Sequence, residues 1–308
     1  MFLPETDQAS ADHRLTVRRL GIIGLGLIGA SLAAGLRQRG ADLTIVGYDC
    51  CADTRTEALS CGYIDAVAES PLILCEQVDL LVLATPVLSL PALLAELKPA
   101  LMNGTTLLTD VGSVKKIVAQ AALDLFGEQP PWLVPGHPIA GSEFSGIKAA
   151  NPALYVNHQV ILTPHERTDA FALAQVSALW ESVGAKVQLM SVARHDEVLA
   201  ATSHLPHLLA FALVDSLAQE SESYEIFHYA AGGFRDFTRI AASDPTMWHD
   251  IFLTNDVATL KVLDHYLAEL TEVRNSLAAG NGEQLFSMFT RAKKARDYFS
   301  TVLAERNL

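Results

Sequence analysis

Short apolar runs alternate with longer helical patterns along the first 190 residues. Each run has four to six residues, and a helical pattern at residues 168–183 precedes the last one. Alternation of this kind is typical of parallel strands joined by crossover helices, so the sequence predicts an α/β fold. The predicted strands are residues 20–23, 43–48, 80–84, 106–109, 132–135, 159–163 and 186–190.

The pattern changes near Ser191, where strand signals stop. Apolar residues then recur at three- and four-residue steps, which predicts amphipathic helices that follow without a Pro/Gly-rich linker. The predicted helices have more apolar surface than one small bundle can bury internally. This surplus favours a symmetric dimer over a self-contained bundle. The periodic residues are Leu205, Leu208, Leu209, Ala212, Leu213 and Leu217, and then Leu260, Leu263, Leu267, Leu270, Val273 and Leu277.

A G-x-G-x-x-G run stands between the first predicted strand and a helical pattern. Gly24, Gly26 and Gly29 would permit the tight turn, the approach of a pyrophosphate and close packing of helix on strand. Asp49 lies at the end of the next strand, where a carboxylate can bind an adenosine ribose. This context predicts a dinucleotide site, with NAD preferred because Asp49 would repel the 2'-phosphate of NADP. Arg55 could offset that repulsion. The predicted cofactor-binding set also includes Leu27, Ile28, Thr85 and Pro86.

The expected organisation therefore has three parts. Residues 1–18 form a loose tail, residues 19–190 a Rossmann-type dinucleotide-binding domain, and residues 191–308 an all-helical substrate and dimerisation domain.

Composition narrows the possible partners and compartment. A net charge of −13 argues against a nucleic acid or an anionic membrane as partner. Four cysteines without zinc-site spacing favour a reduced, cytoplasmic setting, and no signal peptide precedes the first strand. Residues 80–95 are uncharged, but Pro86 and Pro91 divide them into a strand, a loop and a helix start, not a membrane span.

Two polar clusters follow predicted strands, where ligands bind in such folds. In the first, residues 110–115, Ser113 and Lys115 are candidate ligand contacts, although Ser113 is equally explained as a helix cap. In the second, residues 136–143, His137 lies between glycine and proline on a constrained loop that suits a general base, and Glu143 lies six positions further on.

A third cluster lies in the helical half. Arg239 offers a planar fork for a carboxylate, and Arg235 competes with it for that role. His204 and His207 lie three apart, so both can border one cleft; a metal half-site lacks further ligands at suitable spacing. Trp248 is interpreted as a packing residue.

Taken in order, these motifs resemble the prephenate and arogenate dehydrogenases of tyrosine biosynthesis. The resemblance spans residues 20–296 and rests on residues 24–32, 110–115, 136–143, 203–207 and 236–241. It implies a Rossmann-type domain joined to a helical dimerisation domain, with the active site between them. The implied reaction passes a hydride to NAD while the ring carboxylate leaves as carbon dioxide.

The resemblance also implies a role for each candidate residue. His137 would take the proton of the ring hydroxyl, and Ser113 would orient that hydroxyl. Arg239 would bind a substrate carboxylate. Four further residues would line or support the substrate pocket, and which histidine touches the substrate stays open. They are His207, His204, Glu143 and Asp236.

Two other functions compete with this interpretation. A β-hydroxyacid dehydrogenase would carry a catalytic lysine in residues 194–210, where this chain has none although it contains His195. A non-catalytic dinucleotide sensor would not need His137 and Arg239 together. The choice between prephenate and arogenate, and feedback inhibition by tyrosine, stay open.

Overall fold

The structure is a computed structural model that describes residues 14–142, 144–220 and 223–305. Two sheets form the first half. A parallel five-stranded sheet has the order β3-β2-β1-β4-β5, and a second sheet has the order β6-β7-β8. The strands are β1 (Arg19–Ile23), β2 (Thr44–Tyr48), β3 (Ala66–Val67), β4 (Leu80–Leu83), β5 (Leu107–Asp110), β6 (Gly136–Pro138), β7 (Gln159–Leu162) and β8 (Lys186–Leu189).

Helices cover both faces of the first sheet and make up the second half. Those of the sheet region are α1 (Leu27–Gln38), α2 (Ala52–Ser60), α3 (Pro71–Glu76), α4 (Leu90–Asn103), α5 (Lys116–Phe126) and α6 (Ala170–Ser182). Those of the helical region are α7 (Val192–Leu199), α8 (Leu205–Ala218), α9 (Ser223–His228), α10 (Gly232–Thr238), α11 (Pro245–Thr254), α12 (Asp256–Ala278) and α13 (Gly282–Glu305). Short 3₁₀ segments lie at Val87–Ser89, Ile147–Ala149 and Arg239–Ala242.

The α/β prediction is confirmed, with three local corrections. Residues 132–135 form only an isolated bridge, Leu133 with Leu108, and the strand itself begins at Gly136. The pairing of β6 with β7 is antiparallel, not parallel as predicted. The two-residue β3 was not predicted, because so short a strand has no periodicity to detect.

The N-terminal segment is held more firmly than predicted. Thr16 and Val17 belong to the predicted loose tail, yet their backbone amides donate to Oε1 of Gln175 at 2.7 and 3.2 Å. Val17 also joins the core of the first half. Residues 1–13 lie outside the described part of the chain.

A continuous helical segment, Val192–Ala218, leaves the sheet region. Oγ of Ser191 accepts from the amide of Arg194 at its start, and a π-helical turn at Ala200–His204 separates α7 from α8. Pro206 explains this turn, because in a regular α-helix its ring would collide with the carbonyl of Thr202. The segment is long and apolar enough to cross a membrane by length and composition alone.

Candidate active site

The glycine run forms a tight cradle at the ends of β1 and β4. Gly24 has a φ of 95°, and a Cβ on it would lie 2.4 Å from the carbonyl oxygen of Ala84. A Cβ on Gly29 would lie 2.0 Å from the carbonyl oxygen of Gly24, so neither position admits a larger residue. Gly26, in contrast, faces open space at the start of α1. The first intrahelical bond there joins the amide of Ala30 to Gly26, which leaves the preceding helix amides for a ligand.

Asp49 follows β2 beside this cradle. Its Oδ2 accepts from the amide of Leu25 at 2.8 Å and its Oδ1 from the amide of Cys51 at 2.9 Å. Arg55 turns its guanidinium toward the backbone carbonyls of Asp49 and Cys50. The carboxylate is therefore fixed at the end of the strand, and the nearby cation is occupied with the backbone.

Thr85 and Pro86 follow β4 on the opposite side of the glycine cradle. A Cβ on Gly24 would lie 3.1 Å from the amide nitrogen of Thr85. Oγ1 of Thr85 accepts from Ser89 at 2.9 Å, and Pro86 precedes the 3₁₀ turn at Val87–Ser89.

The loop after β5 is tied to the start of β6 by a buried ion pair. Lys115 donates from Nζ to the carboxylate of Asp110 and to the carbonyl of Gly136, and both charged side chains are fully buried. Asp110 also accepts from the amides of Gly112 at 2.8 Å and Gly136 at 3.2 Å. Burial lowers the pKa of Lys115, an effect that Asp110 opposes. Lys115 is thus a structural cation, not an accessible ligand contact, and it fixes the backbone beside His137.

Ser113 lies half-buried in the same loop and is not the cap of the next helix. Helix α5 begins at Lys116, and the amides of Lys115 and Lys116 donate to Oδ1 and Oδ2 of Asp196, each at 2.9 Å. The capping explanation for Ser113 is therefore wrong, because a carboxylate from the helical region performs that role.

His137 lies on β6 with its ring against a second histidine. Its Nδ1 is 2.9 Å from Nε2 of His195, and Nδ1 of His195 is 2.7 Å from Oδ1 of Asp196. Burial lowers the pKa of His137 well below its usual value, and His195, Lys115 and His204 add to the effect. His137 is accordingly neutral near pH 7, as a base must be.

His204 and His207 both contact Trp248 but have different surroundings. His204 is buried, its Nδ1 is 3.1 Å from Nδ2 of Asn255, and burial lowers its pKa to about 4. His207 is half-buried and stacks on Trp248 with ring centroids 3.6 Å apart. Trp248 itself belongs to the buried core, so its interpretation as a packing residue is confirmed.

The two candidate arginines also differ in their surroundings. Arg239, at the start of the 3₁₀ segment after α10, lies near His207 and helps to lower the pKa of that histidine, after the larger effect of burial. Arg235 donates from Nε to Oδ1 of Asp236 at 3.0 Å on the exposed surface. Glu143 lies outside the described residues.

Sequence reasoning missed His195 and Asp196 as members of this site. His195 was noted only because its stretch lacks a lysine, and Asp196 was not considered. The sequence offered no local signal for this pair, because the charged residues Arg194 and Glu197 flank it in α7, and only the structure shows that His195 and Asp196 are buried. No group of three or more potential metal ligands is found within residues 14–142, 144–220 and 223–305.

Comparisons with known proteins agree along almost the whole chain. Residues 32–189 match the family model "Prephenate dehydrogenase, nucleotide-binding domain", and residues 191–291 match "Prephenate dehydrogenase, dimerization domain". The cyclohexadienyl dehydrogenase of Zymomonas mobilis is 38% identical over 91% of this chain and 95% of its own length. The prephenate dehydrogenase of Bacillus subtilis is 36% identical over 90% of this chain and 74% of its own length.

A solved structure is similar over the same extent. The crystal structure of prephenate dehydrogenase from A. aeolicus in complex with hydroxyphenyl propionate and NAD+ superposes with a TM-score of 0.86 at 35% identity. The match covers 92% of this chain and 99% of that one.

Proposed function

Because this chain belongs to the prephenate dehydrogenase family, we propose that it catalyses the NAD-dependent oxidative decarboxylation of prephenate to 4-hydroxyphenylpyruvate in tyrosine biosynthesis. The observation that carries this proposal is a neutral histidine, His137, on a strand whose first residue, Gly136, donates to Asp110 at the carboxyl end of β5, the same edge of the parallel sheet as the glycine cradle. An arogenate or dual-specificity cyclohexadienyl dehydrogenase is the alternative, favoured by the similarity to the Zymomonas mobilis protein. A non-catalytic sensor would not require the base.

The residues around the glycine cradle fit a dinucleotide. Gly24 and Gly29 keep the backbone closely packed, while the open space before Gly26 adjoins the first amides of α1, including those of Leu27 and Ile28. Such amides bind phosphate groups. Thr85 and Pro86 would border the cofactor on the β4 side. When bound, NAD supplies the hydride acceptor.

Asp49 supports a preference for NAD over NADP. Its carboxylate is held by two backbone amides, and Arg55 is directed at backbone carbonyls. A 2'-phosphate would therefore meet a fixed negative charge.

His137 is the proposed base. Nε2 takes the proton of the ring hydroxyl as hydride leaves the same carbon, and the bond to the ring carboxylate then breaks to release carbon dioxide. Ser113, half-buried on the neighbouring loop, would orient the hydroxyl. The gain in aromaticity supplies driving force, so alignment and one base suffice from the protein.

The helical region would hold the rest of the substrate. Arg239 is the proposed partner of a carboxylate, and its proximity to His207 supports a shared pocket. The greater exposure of His207 favours it over His204 as the contact residue. Glu143 and Asp236 are proposed as supporting groups.

We further propose that the chain is a homodimer, built from the predicted domains at residues 19–190 and 191–308, with residues 1–18 as an N-terminal segment that is held to the first domain at Thr16 and Val17. The match to a dimerization-domain model and the exposed leucines of α12 support this assembly. A second copy would also cover the apolar face of Val192–Ala218, so that no membrane is needed to explain it, while the net charge of −13 argues against a nucleic-acid partner. The proposal includes a cytoplasmic location, and tyrosine is the candidate feedback inhibitor that the family resemblance offers.

Steady-state kinetics with prephenate and arogenate, each with NAD and NADP, test this function. We expect the highest kcat/KM with prephenate and NAD, and at least about tenfold less with NADP, because two like charges about 4 Å apart repel by about 1 to 4 kcal/mol and about 1.4 kcal/mol is a factor of ten. Higher efficiency with arogenate would support the alternative, and no turnover with either substrate would contradict an enzymatic role.

A further inference from the structure

Three side chains form a hydrogen-bonded series that runs from the sheet region into the helical region. Nδ1 of His137 meets Nε2 of His195 at 2.9 Å, and Nδ1 of His195 meets Oδ1 of Asp196 at 2.7 Å. His195 is fully buried and Asp196 nearly so, while His137 remains partly accessible. One end of the series therefore faces the proposed site and the other lies inside the protein.

Asp196 is an acceptor at both of its oxygens. The amides of Lys115 and Lys116, at the positive end of the α5 dipole, donate to Oδ1 and Oδ2 at 2.9 Å each. Burial acts to raise the pKa of Asp196, but the hydrogen bonds from His195 and from these two amides outweigh it, and the pKa is lowered. Asp196 is therefore a carboxylate, which can only accept from its third partner, His195.

The charge on Asp196 decides where the proton of each imidazole lies. Because Asp196 accepts, the hydrogen of His195 is on Nδ1, and Nε2 of a neutral His195 carries a lone pair. Burial keeps His195 neutral, since it lowers the pKa of this histidine despite the opposing effect of Asp196. His137 must then donate from Nδ1 to that lone pair. If His195 instead carried its hydrogen on Nε2 and donated to His137, the lone pair of its Nδ1 would face a lone pair of Oδ1 of Asp196 across 2.7 Å.

We propose that His195 and Asp196 are positioning residues that hold His137 in the Nδ1–H tautomer, with Nε2 unprotonated and turned toward the substrate. The proposal rests on the proposed function for its kinetic consequence, but the tautomer is a property of the protein alone. In solution the Nε2–H form of neutral histidine competes with this one, and in that form the nitrogen facing the substrate would be protonated and unable to act as a base.

The competing explanation is that His195 and Asp196 only stabilise the fold, because Asp196 also caps α5. The chain contains a second histidine–aspartate pair and a second aspartate cap that serve as matched controls. His249 and Asp250 on α11 repeat the histidine–aspartate pair with Nδ1 and Oδ1 3.0 Å apart, but the histidine of this pair is exposed. Asp169 caps α6 through the amides of Phe171 and Ala172, at 2.6 and 3.2 Å.

The tautomer can be measured without catalysis, by ¹⁵N NMR of the full-length protein labelled at histidine. His137→Asn assigns the His137 signals. We expect a protonated, pyrrole-type Nδ1 and an unprotonated, pyridine-type Nε2 at pH 7.5. An Nε2–H tautomer for His137 would overturn the proposal, whether or not the protein is active on prephenate.

Kinetics of three variants then test whether the tautomer matters. His195→Leu removes the acceptor, so we expect kcat to fall about 10- to 100-fold, with KM and the Kd for NAD changed less than about threefold. His195→Gln places an oxygen near the position of Nε2 and should recover most of that loss. His249→Gln should leave kcat unchanged. Equal kcat for His195→Leu and His195→Gln would overturn the proposal.

Asp196→Asn separates the capping role from the positioning role. Its amide nitrogen cannot satisfy both His195 and the α5 amides, so we expect a fall in kcat in addition to a loss of thermal stability. Asp169→Asn should cost comparable stability, about 0.5 to 2 kcal/mol as for other helix caps, and leave kcat intact. A fall in kcat that simply tracks the loss of stability in both variants would contradict a positioning role for Asp196.

Absence of prephenate turnover in the wild-type protein would instead count against the proposed function and leave the tautomer measurement valid.

Discussion

The sheet region and the helical region bury their apolar side chains very differently. The buried clusters of the described chain are drawn almost entirely from residues 17–185, and only Trp248 and Ile251 join them from the helical region. On α12 and α13, large apolar side chains such as those of Leu260, Leu267 and Phe286 are about half or more exposed. The first region is complete within one chain, whereas the second presents the kind of apolar surface that a partner covers.

The proposed functions divide along the same line. The glycine cradle, Asp49 and His137 belong to the sheet region, so the proposed cofactor binding and proton transfer lie in the well-packed half. Arg239 and His207 belong to the helical region, which is assigned the substrate. Substitutions on the two sides should therefore change different kinetic constants, except at His195 and Asp196, which lie at the start of the helical region but contact His137 directly or through each other.

Replacement of the base should have the largest effect. His137→Asn keeps a hydrogen-bonding side chain but removes the titratable nitrogen, so kcat should fall about 100-fold to 10,000-fold. NAD affinity, measured by titration, should change little because the cradle is untouched. Unchanged turnover would remove His137 from its proposed role.

Replacement of the substrate anchor should have the next largest effect. Arg239→Ala should raise KM more than it lowers kcat, with a loss in kcat/KM of about 2 to 4 kcal/mol, as for truncation of one partner in a buried charge pair. Arg235→Ala is the matched control, because Arg235 is a neighbouring arginine paired with Asp236 at the surface. If the large KM effect appears in Arg235→Ala instead, the anchor is misassigned. If NAD binding collapses in Arg239→Ala, the functional division between the regions is wrong.

The difference in burial can be tested through oligomeric state. Light scattering at low concentration should give about twice the 33.2 kDa chain mass. Leu267→Asp places a charge on the exposed α12 face and should shift the protein toward the monomer. Leu59→Asp introduces the same change at a leucine of similar exposure, 46% against 50%, on α2 of the sheet region. That variant should remain dimeric, and equal behaviour of the two would contradict the proposed interface.

The smallest expected effect is the dependence of protein stability and of kcat/KM on pH. His137, His195 and His204 all have pKa values below the usual 6.5 because they are buried, with Lys115, Asp110 and Asp196 as the nearby charges. The unfolded chain binds protons more readily than the folded one, so their contribution to stability is present above pH 6.5 and is lost as pH falls toward about 4, the pKa of His204. Denaturant unfolding at pH 8, 6 and 5 should follow this decline, while kcat/KM should stay flat down to pH 6.5. An acid limb of kcat/KM centred above pH 6.5 would contradict a lowered pKa for His137.

Local sequence signals were sufficient for most of the fold. The glycine run, the apolar strands and the leucine periodicity of α12 can each be recognised from residues that are close together in the sequence. The start of β6 was misplaced because Gly136 and Pro138 are poor strand formers, and its pairing depends on β7, more than twenty residues away.

The site was only partly predictable for the same reason. His137 is recognisable from its flanking glycine and proline. Its partner His195 lies 58 residues away, and the bond from Lys115 to Asp196 spans 81 residues. No local pattern records such contacts, which also explains why Lys115 was mistaken for a ligand contact when it is a buried structural cation.

The π turn between α7 and α8 has a rotational consequence for these side chains. At about 100° per residue, a regular helix would place His204, nine positions after His195, on the opposite side of the axis. The wider turn at Ala200–His204 absorbs one residue, and the angle between the two side chains falls to roughly 80°. Both histidines are thereby buried, His195 against His137 and His204 against Asn255. Pro206 thus sets the rotation of the rest of the helix about its axis, although it takes part in neither of these two hydrogen bonds.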